Sequence, residues 1–515
     1  MTLKITFYDG IRNIGGNKFL VEDKDTYLFL DFGTPFSKRY QYFEEYLNPR
    51  SIKGLLDPLA MGLLPPIKNI YREDFICSNE VWKRVKRKDL LRSIDQLDGV
   101  ILSHAHIDHS GYISFLRPEL PVFCSQMTSV ISKAIQDSTQ ASFEWEVAYK
   151  TPRELESDIL KSKDYRTHPY NPHRFVFVDQ ESTNDSIMEF FATSSTTRPL
   201  ASLPPTYANK IGNLGLRYFP VDHSIFGAGS YALETSIGWL IYTGDLRLHG
   251  KRGYLTERFI EEARSLKPKV LILEGTRTDL EPCIEEDEVF NNAAAILKDY
   301  DGLVIADFGP RNIERLITFL EIANLTHRSL VVNTKDAYLL AAMRLIDHEV
   351  PQKDKFYVYK EAKGAIPIWE QRVLSKFGDR LITARDVHSN ENDFILCFSF
   401  WEINELIDIN PEKGIYIYSA SEAWNEEQRL DLERLRNWLS YFGMNFRGDP
   451  ENPQEKNLFH ASGHASGKEL LEIIKEIKPE ILIPVHTENP EFFAQNLKGE
   501  EIKIRLPEEG ETILL

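Results

Sequence analysis

The sequence predicts an α/β protein in which strands dominate the first part and alternate with helices further on. Three observations carry that expectation. Short apolar strands punctuated by Gly10, Gly15 and Gly16 open the chain. Helices alternate with apolar strands from about 278 to 440, the pattern of a parallel layer. A loop, a strongly amphipathic helix and a buried strand follow over 458–488.

The opening strands are read at 5–8 (ITFY), 17–23 (NKFLVED) and 26–33 (TYLFLDFG). A polar, Pro-containing stretch at 36–95 carries the basic run KRVKRKDLLR, and DGVILSHAHIDHSGYISFL then gives a short buried strand, a polar loop and the start of a helix. Residues 151–175 read as polar, helix-like and turn-like pieces. Three consecutive strands are expected between 211 and 248, followed by a helix, a Pro-marked turn and the buried strand in KPKVLILEG.

At 515 residues the chain has room for about three domains' worth of structure. Apolar residues at 42% and charged residues at 27% exclude a disordered or fibrous protein. The four cysteines form no CxxC pair, which argues against a disulfide framework and a thiolate zinc site. The N-terminus alternates like a strand rather than a leader, and no apolar run approaches the roughly 18 residues of a membrane span. A cytoplasmic protein with no membrane partner is expected. The net charge of −17 argues against a polyanionic substrate, since phosphate binding draws on Lys and Arg. A metal site, however, brings its own cations.

Of thirteen histidines, three fall within six residues: His104, His106 and His109, with Asp108 between them. In an extended loop, residues two apart point the same way. His104 and His106 could thus approach one metal while Asp108 and His109 turn toward a second. Imidazole and carboxylate suit zinc and also manganese. Further donors stand at strand ends, namely His223 in FPVDHS and Asp245 in YTGD.

HAHIDH, His223 and YTGD resemble the metal motifs of the metallo-β-lactamase fold, and Asp31 in LFLDFG resembles its first motif. Glu274 in LILEG, His464 in SGHAS and His486 in IPVHTE resemble motifs A, B and C of the β-CASP nucleases, the subgroup that includes ribonuclease J and the cleavage and polyadenylation endonuclease. The resemblance implies an αββα metallo-β-lactamase sandwich at 1–277 and 441–515, interrupted by an inserted β-CASP α/β domain at 278–440. It implies two Zn2+ ions, with Mn2+ as the alternative. His104, His106 and His223 would hold one ion, and Asp108, His109 and His486 the other, with Asp245 bridging. Asp31 would orient ligands, and Glu274 and His464 would flank the scissile phosphate.

The implied activity is two-metal hydrolysis of RNA, endonucleolytic, 5′–3′ exonucleolytic or both, with Asp108, Glu274 and His464 as catalytic residues. A histidine in motif C favours RNA, probed as single strands. Ser462 and Ser466 resemble phosphate-contacting hydroxyls of motif B, with helix capping as the competing role for each. The basic run with Trp82 reads either as an RNA guide or as a solvated face. Stretch 36–95 matches neither reference family, and the short segment after His486 disfavours a ribonuclease J-like tetramer while leaving a homodimer open. Rival readings are a hydrolase of ssDNA, a small phosphodiester or an ester on the same scaffold, and an inactive scaffold subunit.

Overall fold

The computed structural model describes residues 2–44, 46–78, 80–139, 142–181, 184–279, 281, 284–420 and 426–515. It divides into two units: Met1–Leu246 with Tyr254–Glu281 and His464–Leu515, and Arg247–Gly253 with Pro282–Gly463.

The first unit contains an eight-stranded and a seven-stranded sheet. The eight-stranded sheet runs in the order Thr206–Tyr207, Phe175–Phe177, Val122–Cys124, Gly99–Ile101, Thr26–Leu30, Lys18–Asp23, Lys4–Asp9, Thr512–Leu514. The other runs Lys210–Ile211, Leu214–Pro220, Gly229–Thr235, Gly238–Tyr242, Val270–Glu274, Ile481–Val485, Lys503–Ile504. Alternate residues of both sheets share one core. Ile5, Phe7, Phe19, Val21, Leu28 and Leu30 come from the first, and Leu233, Leu240, Tyr242, Ile272, Ile483 and Val485 from the second. The period-2 alternation of side chains makes such a two-sheet core possible.

Helix Gly467–Ile477 is the amphipathic helix the sequence announces. It buries Leu470, Ile473, Ile474 and Ile477, a spacing of three and four residues that forms one apolar face. Ser466 starts it with a capping box: its hydroxyl accepts the Glu469 N–H, while the Glu469 carboxylate accepts from the Ser466 N–H.

The stretch at 151–175 differs from the helix-like and turn-like reading. Arg153–Glu156 and Ile159–Ser162 form an antiparallel hairpin. Its two-residue loop, Ser157–Asp158, has positive φ at both positions (50° and 64°), the geometry of a type I′ turn. The turn has no glycine to mark it in the sequence. Stretch 36–95 holds the short helices Phe36–Arg39, Leu56–Ala60 and Glu80–Arg84 and one small parallel strand pair.

The second unit is built on a seven-stranded sheet in the order Leu381–Ile382, Tyr357–Tyr359, Ser329–Val332, Phe394–Leu396, Leu303–Asp307, Gly414–Tyr418, Met444–Arg447. Every pairing in it is parallel. Strands buried on both faces, such as Leu303–Asp307, require helical crossovers, which explains the helix–strand alternation seen in the sequence. No helix among the described residues is long and apolar enough to cross a membrane.

Candidate metal centre

The topology of the first unit brings its chemistry to one edge. Strands Gly238–Tyr242, Val270–Glu274 and Ile481–Val485 are parallel neighbours, so Asp245, Glu274 and His486 emerge side by side at their C-terminal ends. Leu214–Pro220 runs the same way, being separated from Gly238–Tyr242 by one antiparallel strand, and it delivers His223. In the other sheet, parallel strands Thr26–Leu30 and Gly99–Ile101 deliver Asp31 and the HAHIDH loop.

The loop is seated by very close backbone approach. A Cβ on Gly33 would stand 1.6 Å from the carbonyl oxygen of Asp108, so only glycine fits there. The Thr34 and Gly16 N–H groups donate to the carbonyls of Ile107 and Asp108, each at 2.9 Å. Asp31 and His486 both adopt left-handed backbone at the strand ends (φ 53° and 51°). For non-glycine residues this geometry is uncommon and characteristic of functional sites.

The donors form two groups. His106 Nδ1 lies 3.1 Å from both His104 Nε2 and His223 Nε2. Asp108, His109 and His486 form the second group, with Asp108 Oδ2 3.7 Å from the Nε2 atoms of His109 and His486. Asp245 stands between the groups. Its Oδ2 is 3.1 Å from His109 Nε2, 3.6 Å from His104 Nε2 and 3.9 Å from His223 Nε2, and its Oδ1 is 3.3 Å from His486 Nδ1. All seven residues expected to hold metal therefore converge.

Asp31 lies behind them, fully buried. Its carboxylate sits 2.6 Å from His109 Nδ1 and accepts from the Ser103 N–H at 2.7 Å, the Ser103 hydroxyl at 2.8 Å and the Tyr242 hydroxyl at 2.5 Å. His109 Nδ1 thus faces this carboxylate, and Nε2 is the ring atom turned toward Asp108 and Asp245. Asn17 adds its amide 3.3 Å from His486 Nδ1 and 3.0 Å from the Tyr242 hydroxyl. Ser103, Tyr242 and Asn17 are supports that the sequence reading missed. Ser103 directly precedes the HAHIDH motif and Tyr242 opens YTGD, which is the only signal they gave.

The electrostatics fit cations. Burial and neighbouring imidazoles push His104 and His486 well below the usual histidine range, which keeps them neutral and able to ligate. Burial also pulls on His109, but the carboxylates of Asp245, Asp108 and Asp31 outweigh it and raise its pKa. Among the described residues, His109 Nε2, His486 Nε2 and Asp245 Oδ1 are buried with no well-formed hydrogen bond, although buried polar atoms normally make one. Two divalent ions would satisfy all three. Nitrogen and carboxylate donors without thiolates are a donor set that zinc accepts.

His464 and Glu274 form a separate pair at the rim. His464 Nδ1 is 3.1 and 3.2 Å from the two Glu274 carboxylate oxygens and 4.0 Å from Asp245 Oδ2. Burial pulls the pKa of His464 down, yet the charge and hydrogen bond of Glu274 hold it above the ordinary value. Glu274 also accepts from the Leu246 and Thr276 N–H groups, and Ala465 N–H donates to the Leu246 carbonyl, so the loop bearing His464 is tied to the same point.

The family described as "Zn-dependent metallo-hydrolase RNA specificity domain" matches residues 453–507. Ribonuclease J 2 of Streptococcus pyogenes is 22% identical over 513 residues, covering 98% of this chain and 73% of that protein. Along almost its whole length the chain is similar to ribonuclease J proteins, which supports a metallo-β-lactamase/β-CASP type. Ribonuclease J of Pyrococcus abyssi is 26% identical over 94% of the chain and 90% of its own length. A crystal structure of a protein of unknown function from Enterococcus faecalis V583 shares the fold along the whole of both chains, with a TM-score of 0.65 and 22% identity.

Two further expectations can be placed on this ribonuclease J-like chain. The Ser466 hydroxyl serves the capping box described above, and the Ser462 carbonyl accepts from Arg247 at 3.0 Å and lies 2.8 Å from His249 Nε2. Much of the basic run is locally engaged. Lys83 pairs with Glu80 at 2.6 Å, Arg87 with Asp89 at 2.7 Å, and Lys88 donates to the Trp82 carbonyl at 2.8 Å. That is how a solvated charged face behaves.

Proposed function

We propose that the protein is a zinc-dependent ribonuclease that hydrolyses phosphodiester bonds of single-stranded RNA in the cytoplasm. The observation that carries this reading is the meeting of two donor groups at Asp245, with the His464–Glu274 pair beside it. His104, His106 and His223 would hold one ion and Asp108, His109 and His486 the other, with Asp245 shared. When bound, such a pair of ions activates a water near neutral pH and offsets charge growing on the phosphoryl oxygens.

The chain's own residues supply the rest. Asp31 fixes the His109 ring, and Asp245 aligns the two donor groups. His464, with its raised pKa, is placed to clamp the phosphate or to protonate the leaving oxygen, and Glu274 fixes its tautomer. Ser462 and Ser466 are the candidate hydroxyl contacts for phosphate, helix capping being the competing role that the Ser466 hydroxyl already fills. The second unit serves as the inserted domain.

The test compares end-labelled RNAs bearing 5′-monophosphate, 5′-triphosphate or circular ends with ssDNA, with and without chelator. Chelator-sensitive cleavage of RNA supports the reading. Mononucleotides from monophosphorylated RNA mark an exonuclease, and cut circles mark an endonuclease. Asp108→Ala should abolish cleavage in a folded protein. Cleavage of ssDNA alone, or of no nucleic acid, would overturn the assignment. Light scattering of the same sample tests a homodimer.

A further inference from the structure

A cleft of about 990 Å3 lies in the first unit, against the outer side of the HAHIDH loop. Ile107, the residue between His106 and Asp108, contributes to its wall, and all three are only half buried. Thr34, whose N–H binds the Ile107 carbonyl at 2.9 Å, is a second shared point. The cleft therefore adjoins the loop that carries His106 and Asp108. Its remaining walls come from residues 36–51 and 142–170, segments that no part of the chemistry above uses.

Its lining is aromatic and electrically balanced. Phe36 and Tyr40 stack with centroids 5.9 Å apart and planes 15° from parallel, and Trp145 and Tyr170 stand half buried in the same cleft. Each guanidinium in the lining faces a carboxylate. Arg39 lies 3.1 Å from Glu144, and Arg153 holds Glu146 through contacts of 2.9 and 3.0 Å. A phosphate-binding site would keep such cations unneutralised, since anion affinity comes from them. Aromatic faces with paired charges instead suit flat, uncharged, hydrogen-bonding rings. Every nucleobase offers a π-face for stacking, whatever its identity. The volume lies at the upper end of the roughly 300–1,000 Å3 range of small-molecule sites, which gives room for more than one nucleoside.

We propose that this cleft is a sequence-tolerant nucleoside subsite that stacks the bases of single-stranded RNA next to the phosphate at the metal centre, with Tyr40 and Trp145 as the stacking platform. The inference rests on the ribonuclease reading above. It assigns stretch 36–95 a role, because that stretch supplies Phe36, Arg39 and Tyr40.

The test uses the zinc-loaded full chain and single-stranded RNA containing 4-thiouridine, irradiated and mapped by mass spectrometry, alongside steady-state kinetics. Crosslinks should fall on peptides containing Tyr40, Trp145 or Tyr170. Tyr40→Ala and Trp145→Ala should each raise KM for RNA about tenfold, the effect of losing one stacked base, and alter kcat much less. Tyr40→Phe and Trp145→Phe retain an aromatic face and should recover most of the KM lost in the alanine variants. Alanine variants with wild-type KM, or crosslinks confined to other surfaces of a protein that does cleave RNA, would overturn the subsite alone. A wild-type protein that neither cleaves nor crosslinks RNA would overturn the ribonuclease reading and the subsite with it.

Discussion

His464 Nδ1 faces both carboxylate oxygens of Glu274, at 3.1 and 3.2 Å, across 190 positions of sequence. The contact gives His464 a partner outside the seven candidate metal ligands. His464→Ala should lower kcat by about 10²–10⁴, the range for a lost general acid. Zinc content by atomic absorption should remain unchanged. If His464 acts as the acid, the rate declines as pH rises through its pKa. Glu274→Gln removes the charge that raises this pKa, so the alkaline limb of the kcat profile should move to lower pH. A variant that loses zinc would make His464 a ligand instead.

Asp31→Asn keeps a side chain that tolerates left-handed backbone but removes the charge facing His109. Metal affinity should fall about 10–100-fold, as for other residues that orient a ligating histidine. Isothermal titration with zinc reads this directly. An unchanged affinity would show that His109 needs no carboxylate behind it.

The candidate metal donors were legible in the sequence because they come as a dense cluster and as residues ending apolar strands. Their supports were not. Ser103, Tyr242 and Asn17 are single polar residues of ordinary types, and only the fold brings them together. The parallel layer was legible because strands buried on both faces leave continuous apolar runs. The hairpin at 153–162 was not, because Ser157 and Asp158 make its turn without glycine.

In the second unit, Asp307 is buried, accepts from the Tyr416 hydroxyl at 2.6 Å, and is pushed up to about 7 by burial. The folded state thus holds a proton that the unfolded chain loses near pH 4. Stability from this group is complete below the unfolded pKa and is lost as pH rises toward 7. Asp307→Asn cannot ionise, so its melting temperature should exceed that of wild type by a few degrees at pH 8, and the gain should shrink at pH 5. An equal shift at both pH values would rule out ionisation as the cause.

The chain carries a net charge of −17, and the cations lining the cleft are paired. Binding through bases releases few counterions. The slope of log KM against log salt concentration should therefore stay below about 2, well short of proteins that neutralise six or more phosphates. A steep slope would point to a basic RNA track elsewhere on the molecule.

Strand Lys4–Asp9 pairs on one side with its near neighbour Lys18–Asp23 and on the other with the distant Thr512–Leu514. The HAHIDH histidines likewise wait for His486 while the whole second unit is synthesised. A nascent chain can thus fold its first hairpin and its inserted unit early, but it cannot assemble the second donor group until translation has passed residue 486. Catalytic competence is in this sense a checkpoint on synthesis. Chains broken off within the second unit would expose an unpaired sheet edge and lack His486 of the second donor group, which leaves them open to proteolysis.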